Sequence, residues 1–242
     1  MQKMMSSDLD FEGIRGLKPL DAFPGTLSER AYLSLRTAIL ELVFPPGAIL
    51  PKKEICVALG VSRSPISEAI AQLASERLVK VVPQAGTFVA RFWMADIREA
   101  AFIREAIEVA VAYELAPKIT DTQLVALRRN LKIQEALLID GDFVGFYQLD
   151  LEFHSQLLSF AGYPRLAGSV EILWVNVGRA RQQILPERGR LIATLGEHLA
   201  ILEALEARDA ERAENALRKH LRQLVKGLGS LQRSRPELFD RE

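Results

Sequence analysis

The chain has 242 residues, a formal net charge of zero, 49% apolar residues and one cysteine, Cys56. That length suits one large domain or two small ones with real cores, and a lone cysteine excludes an internal disulfide and fits a reducing cytoplasm. No run is long and apolar enough to span a membrane, the opening MQKMMSSDLDFEG lacks the apolar core of a signal peptide, and a cytoplasmic location is expected.

Residues 1–25 read as a flexible arm. Residues 26–92 alternate short helical patterns with strong punctuation. Thr26 and Glu29 form a capping-box pattern ahead of the face Tyr32, Leu35, Ile39 and Leu42, which Pro45-Pro46-Gly47 should stop. Pro51 opens a second short helix and Gly60 ends it. Ser62 caps a third, with Pro65 in its first turn and Ile66, Ile70 and Leu73 as its buried stripe. Two β-branched runs, Leu78–Val82 and Thr87–Val89, flank Pro83-Gln84-Ala85-Gly86 and read as a hairpin. From residue 95 to 232 there is no strand signal. Helices break near Pro117, Gly141, Gly162-Tyr163-Pro164, Pro186–Gly189 and Arg208-Asp209, which describes an antiparallel bundle of about six helices. Residues 233–242 read as a frayed tail. The expected fold is mainly α: a winged helix-turn-helix of three helices and a β-hairpin wing, followed by an all-α antiparallel helical bundle.

Three short helices and a hairpin suit a third helix lying in the major groove of DNA. Residues 26–92 hold eight basic and five acidic residues, a local charge of +3 in a neutral chain. With the apolar stripe of the third helix inward, Arg63, Ser64, Ser67 and Glu68 face outward. Arg63 is placed for a base edge or phosphate, Ser62 and Ser64 for phosphates, and Gly86 for close backbone approach at the wing. The alternative is a small α+β domain that binds a protein.

The three histidines, His154, His198 and His220, all fall on apolar helical faces, and Asp150 precedes His154 by one turn on the same face. An inward carboxylate is costly unless paired or bound to metal. One carboxylate and three imidazoles suit a divalent ion such as Zn²⁺, Ni²⁺ or Mn²⁺, with octahedral positions left for water or an effector carboxylate. The plainer alternative is three buried histidines hydrogen-bonded to neighbours.

Phe44 to Val89 carries PPG, then LP, then LGVSRSP, then GTFV, and with these it resembles the DNA-binding domain of GntR-family regulators. The resemblance implies DNA contacts by Lys53 and Arg63. It also marks a departure: Ser67 stands where relatives carry a second arginine. Ala95 to Leu231 resembles the FCD ligand-binding domain of the FadR subgroup, through IREAIE (Ile103–Glu108), DLEFH (Asp150–His154), GEHLAIL (His198) and ALRKHL (His220). That resemblance implies a homodimer reading a palindromic operator in double-stranded DNA, metal ligation by Asp150, His154, His198 and His220, and a small carboxylate effector held by Arg104. The competing reading of Arg104 is an exposed pair with Glu108, worth little. Arg179 and Arg181 either line the cavity or, as the preferred reading, form a solvated helix face; Tyr163 departs from the family's asparagine, and Glu152 and Glu197 should point away from the cluster. The rivals to a ligand-controlled repressor are a metal-dependent hydrolase using the same Asp–His₃ cluster, a regulator with a purely structural metal or a metal-free acyl-thioester pocket, and a direct metal sensor.

Overall fold

The computed structural model describes residues 13–163, 166, 177–183 and 188–240. The chain divides into two compact units: Met1–Trp93 together with Arg235–Glu242, and Met94–Ser234.

In the first unit, α1 (Leu27–Leu40) starts on a complete capping box. The Glu29 N–H donates to Thr26 Oγ1 (3.3 Å) and the Thr26 N–H donates to Glu29 Oε2 (2.7 Å). The helix ends before the prolines reach it, where Leu42 turns into the left-handed region at φ 60°. α2 (Lys52–Leu59) follows Pro51 and stops at Gly60, whose φ of 65° suits a residue without Cβ. α3 (Arg63–Ser75) buries Ile66, Ala69, Ile70 and Leu73. Ser62 occupies its N-cap position, but its side chain makes no capping hydrogen bond, so the expected cap is positional only.

The wing is β1 (Val79–Val82) paired antiparallel with β2 (Gly86–Val89), from Val79 opposite Val89 to Val82 opposite Gly86. The outer edge of β2 is covered. The Leu50 N–H donates to the Thr87 carbonyl and the Val89 N–H to the Ala48 carbonyl, both at 2.8 Å, and Ile49 bridges Phe88. The hairpin is therefore a three-stranded patch, which one stray strand residue between a proline turn and a helix did not announce.

Two expectations fail here. Residues 13–25, expected to be part of a flexible arm, pack along α1 and its exit. Ser34 Oγ, fully buried, donates to the Lys18 carbonyl at 2.7 Å, and Lys18 pairs with Glu41 at 2.6 Å. A Cβ on Gly13 would meet the Phe44 ring at 2.5 Å, so this close approach needs glycine. Residues 1–12 lie outside the described residues. The expected frayed tail is also ordered: residues 235–240 pair with the chain around Phe92. The Phe92 N–H donates to the Leu238 carbonyl and the Asp240 N–H to the Phe92 carbonyl, both at 2.9 Å. Leu238 and Phe239 supply the apolar surface that a frayed end lacks; both are buried, and the Phe239 ring lies 5.6 Å from that of Phe92.

The second unit is all helical among the described residues: α4 (Met94–Leu115), α5 (Asp121–Asp140), α6 (Phe143–Phe160), a helical stretch at 177–183 (α7), α8 (Arg188–Glu206) and α9 (Ala210–Ser234). Thr120 and Gln123 box the start of α5, Gly141 ends it at φ 75°, and the Asp142 carboxylate accepts from the Gly145 N–H at 2.8 Å to start α6. α4 packs on α9, α9 on α8, α8 on α5, α5 on α6, and α6 back on α4. This closed ring surrounds an apolar core that includes Leu115, Leu127, Phe146, Phe153, Leu191 and Leu217. Its inward polar positions are what the ring shelters.

Candidate functional site

The first unit exposes every residue expected at DNA. Lys53 on α2, Ser62, Arg63, Ser64 and Ser67 at the start of α3, and Gly86 in the wing are all solvent-exposed. Gly86 takes a φ of 129°, a conformation that glycine adopts without strain. Glu68 has a structural task the sequence did not reveal. Its carboxylate accepts from Ser28 Oγ of α1 (2.5 Å) and from Ser64 Oγ (3.1 Å), fastening the outward start of α3 to α1. Ser64 is thus engaged within the protein.

In the second unit, the ring gathers Asp150 and His154 of α6, His198 of α8 and His220 of α9. One ligand atom from each lies within 4.8 Å of all the others, and all four residues are buried. The geometry around them is ordered by a surrounding layer of acceptors. His154 Nδ1 faces Glu108 Oε2 at 2.6 Å, His220 Nδ1 faces Glu197 Oε2 at 2.7 Å, and His198 Nδ1 faces Gln134 Oε1 at 3.0 Å. An oxygen at Nδ1 assigns the proton to that nitrogen and leaves the Nε2 lone pair turned inward. His154 Nε2 and His220 Nε2 then face each other at 3.2 Å. Ligand bonds of about 2.0–2.1 Å place adjacent nitrogens about 2.9–3.4 Å apart in octahedral or tetrahedral sites. Two facing lone pairs at this spacing suit a shared cation. The remaining donors agree: His198 Nε2 and Asp150 Oδ2 are buried without a hydrogen-bond partner among the described residues. The donor set therefore fits a divalent ion.

The electrostatics keep these donors ready. Burial opposes the charge on Asp150, but the Arg181 guanidinium 2.6 Å from Oδ1 outweighs it and holds the carboxyl well below its usual range. Burial likewise opposes ionisation of Glu108, yet Arg104 and His154 hold it at about 2. Burial lowers His220 to about 4, with Glu197 resisting only in part, and it pushes His198 well below its usual value. The last two imidazoles are thus neutral near pH 7, the state a metal ligand needs.

Three expectations change. Arg104 does pair with Glu108, at 2.5 Å, but both side chains are buried rather than exposed, so this is a buried ion pair whose other oxygen orients His154. Arg179 and Arg181 are buried, not a solvated face. Glu197 does not point away: it accepts from His220 and from both terminal nitrogens of Arg190, at 2.9 and 2.7 Å. Glu152 does turn outward, to Gln156. Arg104, Arg181, Arg190 and Thr194 line a cavity of about 30 Å³ beside His220. Asn130 and Gln134 were missed altogether. Gln134 Nε2 donates to Asn130 Oδ1 at 2.7 Å while its Oε1 serves His198. Two amides one turn apart on the stripe of Leu127, Leu131 and Leu138 were the available signal.

Residues 27–89 match the bacterial regulatory proteins of the gntR family, and residues 99–223 match the FCD domain. The HTH-type transcriptional repressor RspR of Escherichia coli K12 is 32% identical over 216 residues, covering 89% of this chain and 95% of that protein. The chain belongs to the GntR family. It is a transcriptional regulator of the FCD-containing, FadR-like kind and not an enzyme, so the hydrolase reading of the Asp–His₃ cluster falls. The galactonate operon transcriptional repressor of E. coli K12 is 24% identical, covering 78% of this chain and 91% of that one. The solved structure of a transcriptional regulator GntR from Rhodococcus sp. RHA1 is 27% identical, with a TM-score of 0.74 over 84% of this chain and 97% of that chain. GntR regulators bind DNA operators, and no helix among the described residues is long and apolar enough to cross a membrane.

Proposed function

We propose that this GntR regulator is a homodimeric repressor whose affinity for a palindromic operator is set by a small carboxylate effector at a divalent metal centre. The observation that carries this reading is the convergence of four buried donors, three of them imidazoles oriented through Nδ1, with two donor atoms left unsatisfied. Asp150, His154, His198 and His220 would hold the ion, whether Zn²⁺, Ni²⁺ or Mn²⁺. Once bound, it supplies a positive centre that attracts an anionic oxygen. The protein's own share is the cationic lining. Arg104, Arg181 and Arg190 border the adjoining cavity, and guanidinium groups suit carboxylate recognition. Arg181 holds only one oxygen of Asp150, which leaves the other for the ion. At about 30 Å³ the cavity has room for about one water, so an effector must shift its lining. That requirement couples ligand binding to helix position, by no more than the ligand's difference in affinity for the two arrangements.

In the DNA-binding unit, Arg63 is assigned to a base edge or phosphate, Lys53, Ser62 and Gly86 to the backbone, and Ser67 to the position facing the groove. Two copies match a palindrome. The apolar Phe102, 75% exposed on α4, and Tyr113 flank a hollow of about 410 Å³ that suits a second copy.

The test is elemental analysis of untagged protein. Wild type is expected to carry about one divalent ion per chain and His198→Ala to lose it. Protein that takes up no Zn²⁺, Ni²⁺ or Mn²⁺ would sink the metal centre and leave the histidines as core hydrogen-bonding groups. Metal that binds while small carboxylates leave operator affinity unchanged would instead favour a structural ion or a direct metal sensor.

A further inference from the structure

The DNA-binding unit is built from two separate pieces of chain. Besides residues 13–93 it includes residues 235–240, so the polypeptide passes between the two units twice, at Trp93–Met94 and at Ser234–Arg235. Pro236 opens a short 3-10 turn, and Leu238 and Phe239 are buried after it. Both backbone polar groups of Phe92 are taken by this strap, the N–H by Leu238 and the carbonyl by Asp240. Asp240 also borders, with Lys80 of β1, Arg91 and Gly47, a hollow of about 380 Å³ beside the wing. The strap thus reaches the wing as well as the segment ahead of α4.

Its other end is equally telling. α9 runs unbroken from Ala210 to Ser234, carrying His220 and the buried Leu228, and passes directly into the strap. α4, which carries Arg104 and Glu108, begins two residues after Phe92. The two helices pack against each other within the bundle. Each therefore leaves the sensing unit within a few residues of the same Phe92–Phe239 bridge.

We propose that residues 235–240 are a second tether that carries the state of α9 into the DNA-binding unit, acting through the pairing with Phe92 rather than through α4 alone. A helix has few ways to absorb a shift along its axis, and a strap held by two backbone bonds and a ring contact passes the shift on. With Trp93–Met94 as the single connection, α9 could reach the winged helix only through its packing on α4. This inference needs the two-unit organisation and not the metal.

Hydrogen exchange on the full chain tests it, with a chain ending at Ser234 as comparison. Reporters are the amides of Val89 and Ala90, whose acceptors Ala48 and Leu78 are present in both chains. The perturbation is Leu228→Ala, a cavity in α9 remote from the histidines, with Leu228→Val as the milder version should the first fail to fold. In the full chain, Phe92 and Asp240 are expected to exchange at least ~tenfold more slowly than unpaired amides, and the Leu228 variant to speed exchange at Val89 and Ala90. In the shortened chain the same variant should loosen α9 and leave those wing amides unmoved. An equal response at Val89 and Ala90 in both chains would overturn the proposal, because α4 then suffices. So would unprotected Phe92 in the wild type, or an α9 loosened in the full chain with no change in the wing.

Discussion

At the proposed metal centre, Glu197 would matter without touching the ion. Its carboxylate fixes the His220 ring through Nδ1 while being held itself by Arg190. Glu197→Gln keeps the shape and removes the charge, and should weaken metal binding about 10–100-fold, read by competition with a chromogenic chelator. Thermal stability should change far less than in Glu108→Ala, which removes the buried carboxylate shared by Arg104 and His154 at a cost of about 3–5 kcal/mol. At the proposed DNA surface, Ser67→Arg should sharpen preference for guanine at one operator position, whereas Arg63→Ala should weaken binding by about 1–3 kcal/mol; binding-site selection from random duplexes reads both. The four ligand candidates were legible because histidine and aspartate on apolar stripes stand out. Glu197, Gln134 and Arg181 were not, because periodicity places a side chain on a face only to within a third of a turn. A long glutamate or arginine at the rim can still swing its head inward.

Among the elements, the α4–α9 pair is laced outside as well as packed inside. Glu105 accepts from Arg222, at 2.7–3.1 Å, and from Arg218 at 3.2 Å. Arg222 first, then Arg218, lowers the Glu105 pKa from 4.5 against the opposing effect of partial burial. The folded state therefore favours the ionised form. This contribution is present above pH 4.5 and fades as pH falls through the lower folded value. Glu105→Gln should consequently lower the melting temperature at neutral pH, and its difference from wild type should close on acidification; a gap that stays constant with pH would count against the bridge. Helix order and most breaks could be read from capping boxes and glycine stops, since those signals are local. The edge strand at Ala48–Leu50 could not, because it is defined by its partner β2 and has no periodicity of its own.

At the scale of the whole molecule, the proposed dimerisation through the exposed face of α4 has a direct check. Phe102→Glu should shift the protein from dimer to monomer in sedimentation equilibrium, leave helical content unchanged, and reduce affinity for a two-half-site operator far more than for a single half-site. The two-part architecture was legible in the change from punctuated short elements to long helices after residue 95. The return of residues 235–240 was not, because SRPELFDRE has the charge and the proline of a loose end, and its two apolar residues have meaning only beside Phe92. That return bears on biosynthesis. Chains are made from the N-terminus, and leading domains generally fold as they emerge. Here the winged helix leaves the ribosome first, yet the partner of Phe92 follows only after the entire helical bundle. A chain interrupted anywhere in the bundle lacks the last piece of its first unit, so that unit is completed only when the whole helical bundle has been made.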